Sequence, residues 1–160
     1  MNASNPDLGA FKAHGGKILM YSGWADPVGP PMDAVNYYHR VTELMGGREK
    51  TESFFRLFMV PGMAHCRGGP GPNSFGALST IASPRNMIDP EHDVLSALVQ
   101  WVEKGSAPDH IIAAHLTNGS VDRTRPLCPY PKIARWNGAG SSDDAKNFTC
   151  VEGSSARPDH

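Results

Sequence analysis

No apolar run in this 160-residue chain approaches the roughly 20 residues that a membrane-spanning helix needs. Excess charge of either sign is missing too: the formal net charge is −1, which leaves no electrostatic footprint for nucleic acid and no polybasic patch for a membrane surface. Internal repeats and low-complexity blocks are absent. The opening residues, Met1 to Pro6, have neither a basic stretch nor an apolar one, so no signal peptide is expected in them. A Gly-rich stretch at residues 68–72 lacks the Gly-Lys-Ser/Thr ending of a phosphate-binding loop, which argues against nucleotide binding. The Gly-x-Ser-x-Gly elbow of nucleophilic hydrolases occurs nowhere in the sequence. Cysteine is scarce, and the count of three is odd. Cys66 has no second thiol at zinc-site spacing, so structural zinc is not expected. Cys128 and Cys150 both fall in the late part of the chain, where a bridge between them would close a loop worth about 3 kcal/mol. Cys66 is then either a free thiol or paired with a cysteine outside this chain.

Hydrophobic residues make up 39% of the chain, with 17 glycines and 14 prolines, a composition for one modest domain with many loops. Asn5, Pro6 and Asp7 suit the start of a short helix over residues 5–13, ended by Gly15-Gly16. A short apolar strand, residues 17–21, runs into the turn-rich Ser22-Gly23-Trp24-Ala25-Asp26-Pro27. Val35, Tyr38, Val41 and Met45 fall at helical spacing and predict a helix from Pro31 to about Met45, closed by Gly46-Gly47. Residues 48–53 read as a charged connection, and residues 54–60 as a buried strand ended by Pro61-Gly62. Strand, helix and strand at this spacing predict a parallel βαβ crossover. A long Gly/Pro loop over residues 66–87 precedes a helix that starts at Asp89-Pro90-Glu91 and carries Val94, Leu98, Trp101 and Val102 as its stripe. A last short strand is expected at residues 111–115, and beyond Thr117 a Pro- and Gly-rich tail of loops.

Two residues stand out for chemistry. Asp26 and His65 each lie just past the carboxyl end of one of the two successive strands, the edge where α/β sheets gather ligands. An imidazole there is a candidate general base, and a carboxylate beside it fixes its tautomer and stabilises its protonated form. Trp24 is expected to pack beneath the Asp26 loop. Ser22 follows a strand without forming an elbow, and Ser74, Ser79 and Ser83 lie in the long loop. His14, His39, His92, His110, His115 and His160 show no metal-site spacing and receive no role. Sequons begin at Asn2, Asn118 and Asn147.

The motifs at Gly15-Gly16-Lys17, Gly23 to Pro27, Pro61 to Cys66, Gly69 to Pro72, Arg123 to Pro131 and Asn147 to Cys150 occur in the order found in the tannase and feruloyl esterase family. That family includes mono(2-hydroxyethyl) terephthalate hydrolases, and the resemblance covers nearly all of residues 5–152. It implies an α/β-hydrolase core with a large inserted lid, a Ser-His-Asp triad, and a disulfide joining the residue before the serine to the residue after the histidine. By position, Asp26 is then the acid, His65 the base and Cys66 half of that disulfide. The serine, its neighbouring cysteine, the lid and the lid's calcium site would lie upstream of Met1, leaving this chain no cofactor of its own. Residues 1–160 are thus expected to be the C-terminal part of a single α/β-hydrolase domain, with a βαβ core over 5–117 and a disulfide-stapled, loop-rich tail over 118–160. The expected substrate is an aromatic ester (hydroxycinnamoyl, galloyl or related), the expected location of the full-length enzyme secreted or periplasmic, and the expected partner the missing N-terminal portion. Nucleic acid and membrane are not expected partners. The competing reading is a non-catalytic remnant, a binding module with a hydrolase-derived fold.

Overall fold

The computed structural model describes residues 4–76 and 87–153. Asn2, Ser79, Ser83 and His160 lie outside the described residues. The expected crossover is present. Strand β1 (Ile18–Gly23) lies parallel to β2 (Phe55–Val60), from Ile18 opposite Phe55 to Gly23 opposite Val60, and helix α2 (Pro31–Leu44) connects them. Side chains alternate across the two strands and build a separate core on each face. Ile18, Met20, Phe55, Leu57 and Met59 meet Val35, Tyr38 and Val41 of α2. Leu19, Tyr21, Phe58 and Val60 meet Ala97 of helix α4 (Val94–Lys104) and Phe75. Burying each such aromatic or aliphatic side chain is worth about 1.5–3 kcal/mol.

Several boundaries differ from the sequence expectation, each for a local reason. The first helix, α1, is only Gly9–Ala13, because Asn5 and Asp7 accept from the amides of Asp7 and Gly9 and fold the preceding residues into turns. Residues 48–53 are not a plain connection: Arg48–Glu52 forms helix α3, whose Arg48 pairs with Glu52 at 2.5 Å and reaches Glu152 at 2.8 Å. Asp89 organises a turn through the amides of Glu91 and His92, and α4 begins four residues later than expected. There Asp93 is the N-cap, accepting from Ser96 N at 2.7 Å. The expected stripe of α4 faces the core except at its end: Val94 packs against the core, Leu98 is half-buried and Trp101 buried, with Ala97 joining them, whereas Val102 is 59% exposed. Leu95 and Val99, outside that stripe, are 63% and 44% exposed.

The larger correction concerns the later strands. Among the described residues, only β1 and β2 pair in parallel. Strand β3 (Ile111–Thr117) turns back at Asn118-Gly119 and pairs antiparallel with β4 (Ser120–Leu127). Both turn residues have positive φ, the geometry of a two-residue hairpin. The tail is therefore not merely loops. Strands β5 (Lys132–Trp136) and β6 (Phe148–Glu152) form a second antiparallel pair, with a 3-10 turn at Ala145–Asn147 leading into β6. Prolines at 126, 129 and 131 conceal these strands by interrupting their pattern. The tail also closes the outer edge of β2, where Tyr130 N donates to Leu57 O at 2.7 Å.

Cys128 and Cys150 are joined in a disulfide, 22 residues apart in sequence. Reducing it should lower the stability of the chain by about 3 kcal/mol. Urea unfolding with and without reductant measures this, and unchanged midpoints would show that the β5–β6 pair holds without the bridge.

Candidate active site

Where β1 ends, the chain approaches the loop after β2 backbone to backbone. Gly23 has no room for a side chain, since a Cβ there would lie 2.2 Å from Met63 O. Trp24 N donates to Val60 O at 3.0 Å and Ala25 N to Met63 O at 3.0 Å, so the two strand-end loops are fastened to each other. Met63 is fully buried and anchors the second loop from beneath. Across the base of that loop Gly71 N donates to Gly62 O, and Ala64 N donates to Gly68 O at 3.0 Å within it.

This fastening brings Asp26 and His65 together. Asp26 Oδ2 lies 2.8 Å from His65 Nδ1, while Oδ1 accepts from Val28 N at 2.8 Å and Gly29 N at 3.0 Å. The Asp26 side chain is 10% exposed and the imidazole 54%. The amides of Gly29 and Val28, together with the His65 contact, hold the carboxyl below the ordinary carboxylate range despite its partial desolvation. The acid therefore stays ionised in solutions more acidic than usual. With Nδ1–H donated to the carboxylate, the neutral ring carries its lone pair on Nε2. Among the described residues, Asp26 is the hydrogen-bond partner of the His65 ring.

Cys66, next to His65, is exposed and unbridged, with a left-handed φ of 60°. Trp24 does not pack beneath the Asp26 loop as expected: it is 44% exposed and lines a cavity of about 480 Å³ with Pro61, Pro70, Pro72, Arg125 and Ile133. Its position on the turn rather than the strand carries the ring outward. Ser22 lies within β1, and Ser74 is buried with its backbone bridged to Ala114. Four histidines given no role have hydrogen-bond partners: His14 meets Ala10 O at 2.7 Å, His39 meets Tyr130 OH, His92 meets Asp89, and His115 meets Asp122 at 2.6 Å. Among the described residues, no group of three or more His, Cys, Asp or Glu is placed to hold a metal ion, and no helix is long and apolar enough to cross a membrane.

The arrangement is that of a hydrolase fold. Feruloyl esterase B from Aspergillus oryzae superposes with a TM-score of 0.83 at 37% identity, over 92% of this chain and 29% of that one. Tannin acyl hydrolase from Aspergillus niger, at 24% identity, shares the fold with a TM-score of 0.68. The tannase and feruloyl esterase family model matches residues 1–151, and the chain belongs to that family. Among curated relatives, an uncharacterised esterase of Xanthomonas campestris pv. campestris is 46% identical over 95% of this chain. The mono(2-hydroxyethyl) terephthalate hydrolase of Piscinibacter sakaiensis is 42% identical over 93% of it. This chain spans 29% and 22% of the lengths of those two relatives.

Proposed function

We propose that this chain supplies the acid and the base of a Ser-His-Asp triad in a carboxylic ester hydrolase that acts on aromatic esters. In this reading residues 1–160 are the C-terminal portion of the catalytic domain, and the serine comes from polypeptide outside them. The observation that carries the proposal is the 2.8 Å contact of His65 Nδ1 with Asp26, which leaves Nε2 as the nitrogen that can take a proton. The serine hydroxyl gives its proton to Nε2 as its oxygen attacks the ester carbonyl. Asp26 stabilises the resulting imidazolium, which returns the proton to the leaving alcohol, and water then repeats the sequence on the acyl-enzyme. Cys66 is the half of the histidine-side disulfide that a cysteine beside the serine would complete, and the calcium of the family belongs to the lid. A disulfide in the tail supports secretion of the whole enzyme into an oxidising compartment.

The test compares the 160-residue chain with a chimera in which it replaces the matching segment of the Xanthomonas esterase. The chain alone should not hydrolyse methyl ferulate above background, and the chimera should, with inhibition by phenylmethylsulfonyl fluoride. Serine-inhibited turnover by the chain alone, or a folded chimera without activity, would refute the proposal, and the second outcome would favour a binding module.

A further inference from the structure

An arginine stays charged throughout the working range of a protein, so one without an anion beside it keeps an unused capacity to bind one. Arg125 on β4 is in that state. Its guanidinium lies 3.9 Å over the Phe148 ring, and among the described residues it makes neither an ion pair nor a hydrogen bond. Nη1 is buried without a partner. Burial, and then the like charge of Arg123, hold the group below the ordinary arginine range, and Asp143 offsets this only in part. The Asp143 carboxylate is itself bonded to Arg123 at 2.9 Å.

Arg125 lines the same cavity of about 480 Å³ that Trp24 lines, a size that suits a small organic ligand. The walls are otherwise chiefly apolar, from Pro61, Pro70, Pro72 and Ile133, and no Asp or Glu is among the lining residues. Lys132, the other cation on the wall, lies opposite Glu152 across the β5–β6 pair. Trp24 supplies an indole against which an aromatic ring can stack. An apolar chamber with one unpaired guanidinium selects a flat apolar body with a single anionic end. A neutral ligand would leave the guanidinium without a partner, and a polyanion would bury further charge against the prolines. A carboxylate matches the two-pronged edge of a guanidinium.

We propose that this cavity is a binding site for an aromatic carboxylate, with the ring against Trp24 and the carboxylate on Arg125. Neither Asp26 nor His65 lines it. Its walls do include Pro61, Gly62 and the run from Pro70 to Pro72, so an occupant touches the base of the loop that carries His65. An ester hydrolase of the proposed kind releases an aromatic acid, which makes the reaction product the natural occupant. That identification rests on the proposed function, whereas the binding rests on the cavity alone.

An NMR titration of the 160-residue chain with ferulate tests the site. The Trp24 indole N–H signal should shift to saturation with a Kd of about 1 mM or tighter. Methyl ferulate has the same ring and no charge, and should bind at least about 10-fold more weakly. Arg125→Gln should weaken ferulate by a similar factor and leave methyl ferulate unchanged. Trp24→Ala, followed on the ligand's ring protons, should weaken both. Should Arg125→Gln fail to fold, the two ligands compared on the parent chain decide the matter. Equal affinity for ferulate and its methyl ester, ferulate binding that survives Arg125→Gln, or a Trp24 signal that does not move overturns the proposal. An active Xanthomonas chimera that takes no ferulate here sinks this site and leaves the triad reading. An inactive one that binds ferulate through Arg125 refutes the triad and assigns the cavity to aromatic acids from another source.

Discussion

His65→Ala in the Xanthomonas chimera should lower kcat on methyl ferulate by about 10⁵-fold, with KM little changed. In the proposed mechanism the imidazole acts in the transition state, taking and returning the proton that moves between nucleophile and leaving group, so its loss falls on turnover. Asp26→Asn should cost about 10⁴-fold. The amide keeps the shape of the carboxylate, and its oxygen can still accept from Val28 and Gly29 at the present position of Oδ1. Its nitrogen then faces Nδ1 and demands the tautomer with hydrogen on Nε2, which cannot accept a proton there. The two losses should not add, because in the proposed mechanism both variants act through the same imidazole. Rates within tenfold of the parent for either variant would remove the pair from the mechanism.

The second large effect is structural. Gly71→Ala should destabilise the chain by about 3 kcal/mol, since its Cβ would lie 2.0 Å from the backbone oxygen of Pro61. Backbone cannot yield as a flexible side chain does, so the loop from Pro61 to Pro72 must open. Opening releases His65 from Asp26, and the Nδ1 proton of the hydrogen-bonded imidazole should disappear from the proton NMR spectrum. Gly68→Ala is the comparison: no atom lies within 4 Å of its Cβ, and only the left-handed φ of 68° is unfavourable, costing about 1–2 kcal/mol. Equal losses for the two variants, or an unchanged imidazole signal in Gly71→Ala, would show that the close approach does not position His65.

The parts of this molecule that were legible in the sequence are those where one local rule decides. Apolar runs at residues 17–21 and 54–60, the first running into the turn-rich residues 22–27 and the second ended by Pro61-Gly62, with an amphipathic helix between, specify two parallel strands and the side on which their loops emerge, although β1 itself runs on to Gly23. Asp26 and His65 follow from that placement. The antiparallel pairs were harder to read because β4 carries Pro126 inside the strand and β5 follows directly on Pro131, positions that normally signal a loop. A usable signal was nonetheless present: Asn118-Gly119 between two extended segments is a hairpin turn. Helix α3 was obscured by its length and charge, since the Arg48 contact with Glu152 that holds it spans 104 residues. No periodicity reports a contact of that kind.

The apolar stripe on the outer side of α4 bears on how the chain behaves as a solute. Leu95, Val99 and Val102 lie one helical turn apart and are all substantially open to water, so they form a continuous greasy ridge rather than scattered exposed residues. With a net charge of only −1, the molecule has little like-charge repulsion to keep such ridges on neighbouring copies apart. Colloidal stability of the isolated chain is therefore limited at this helix.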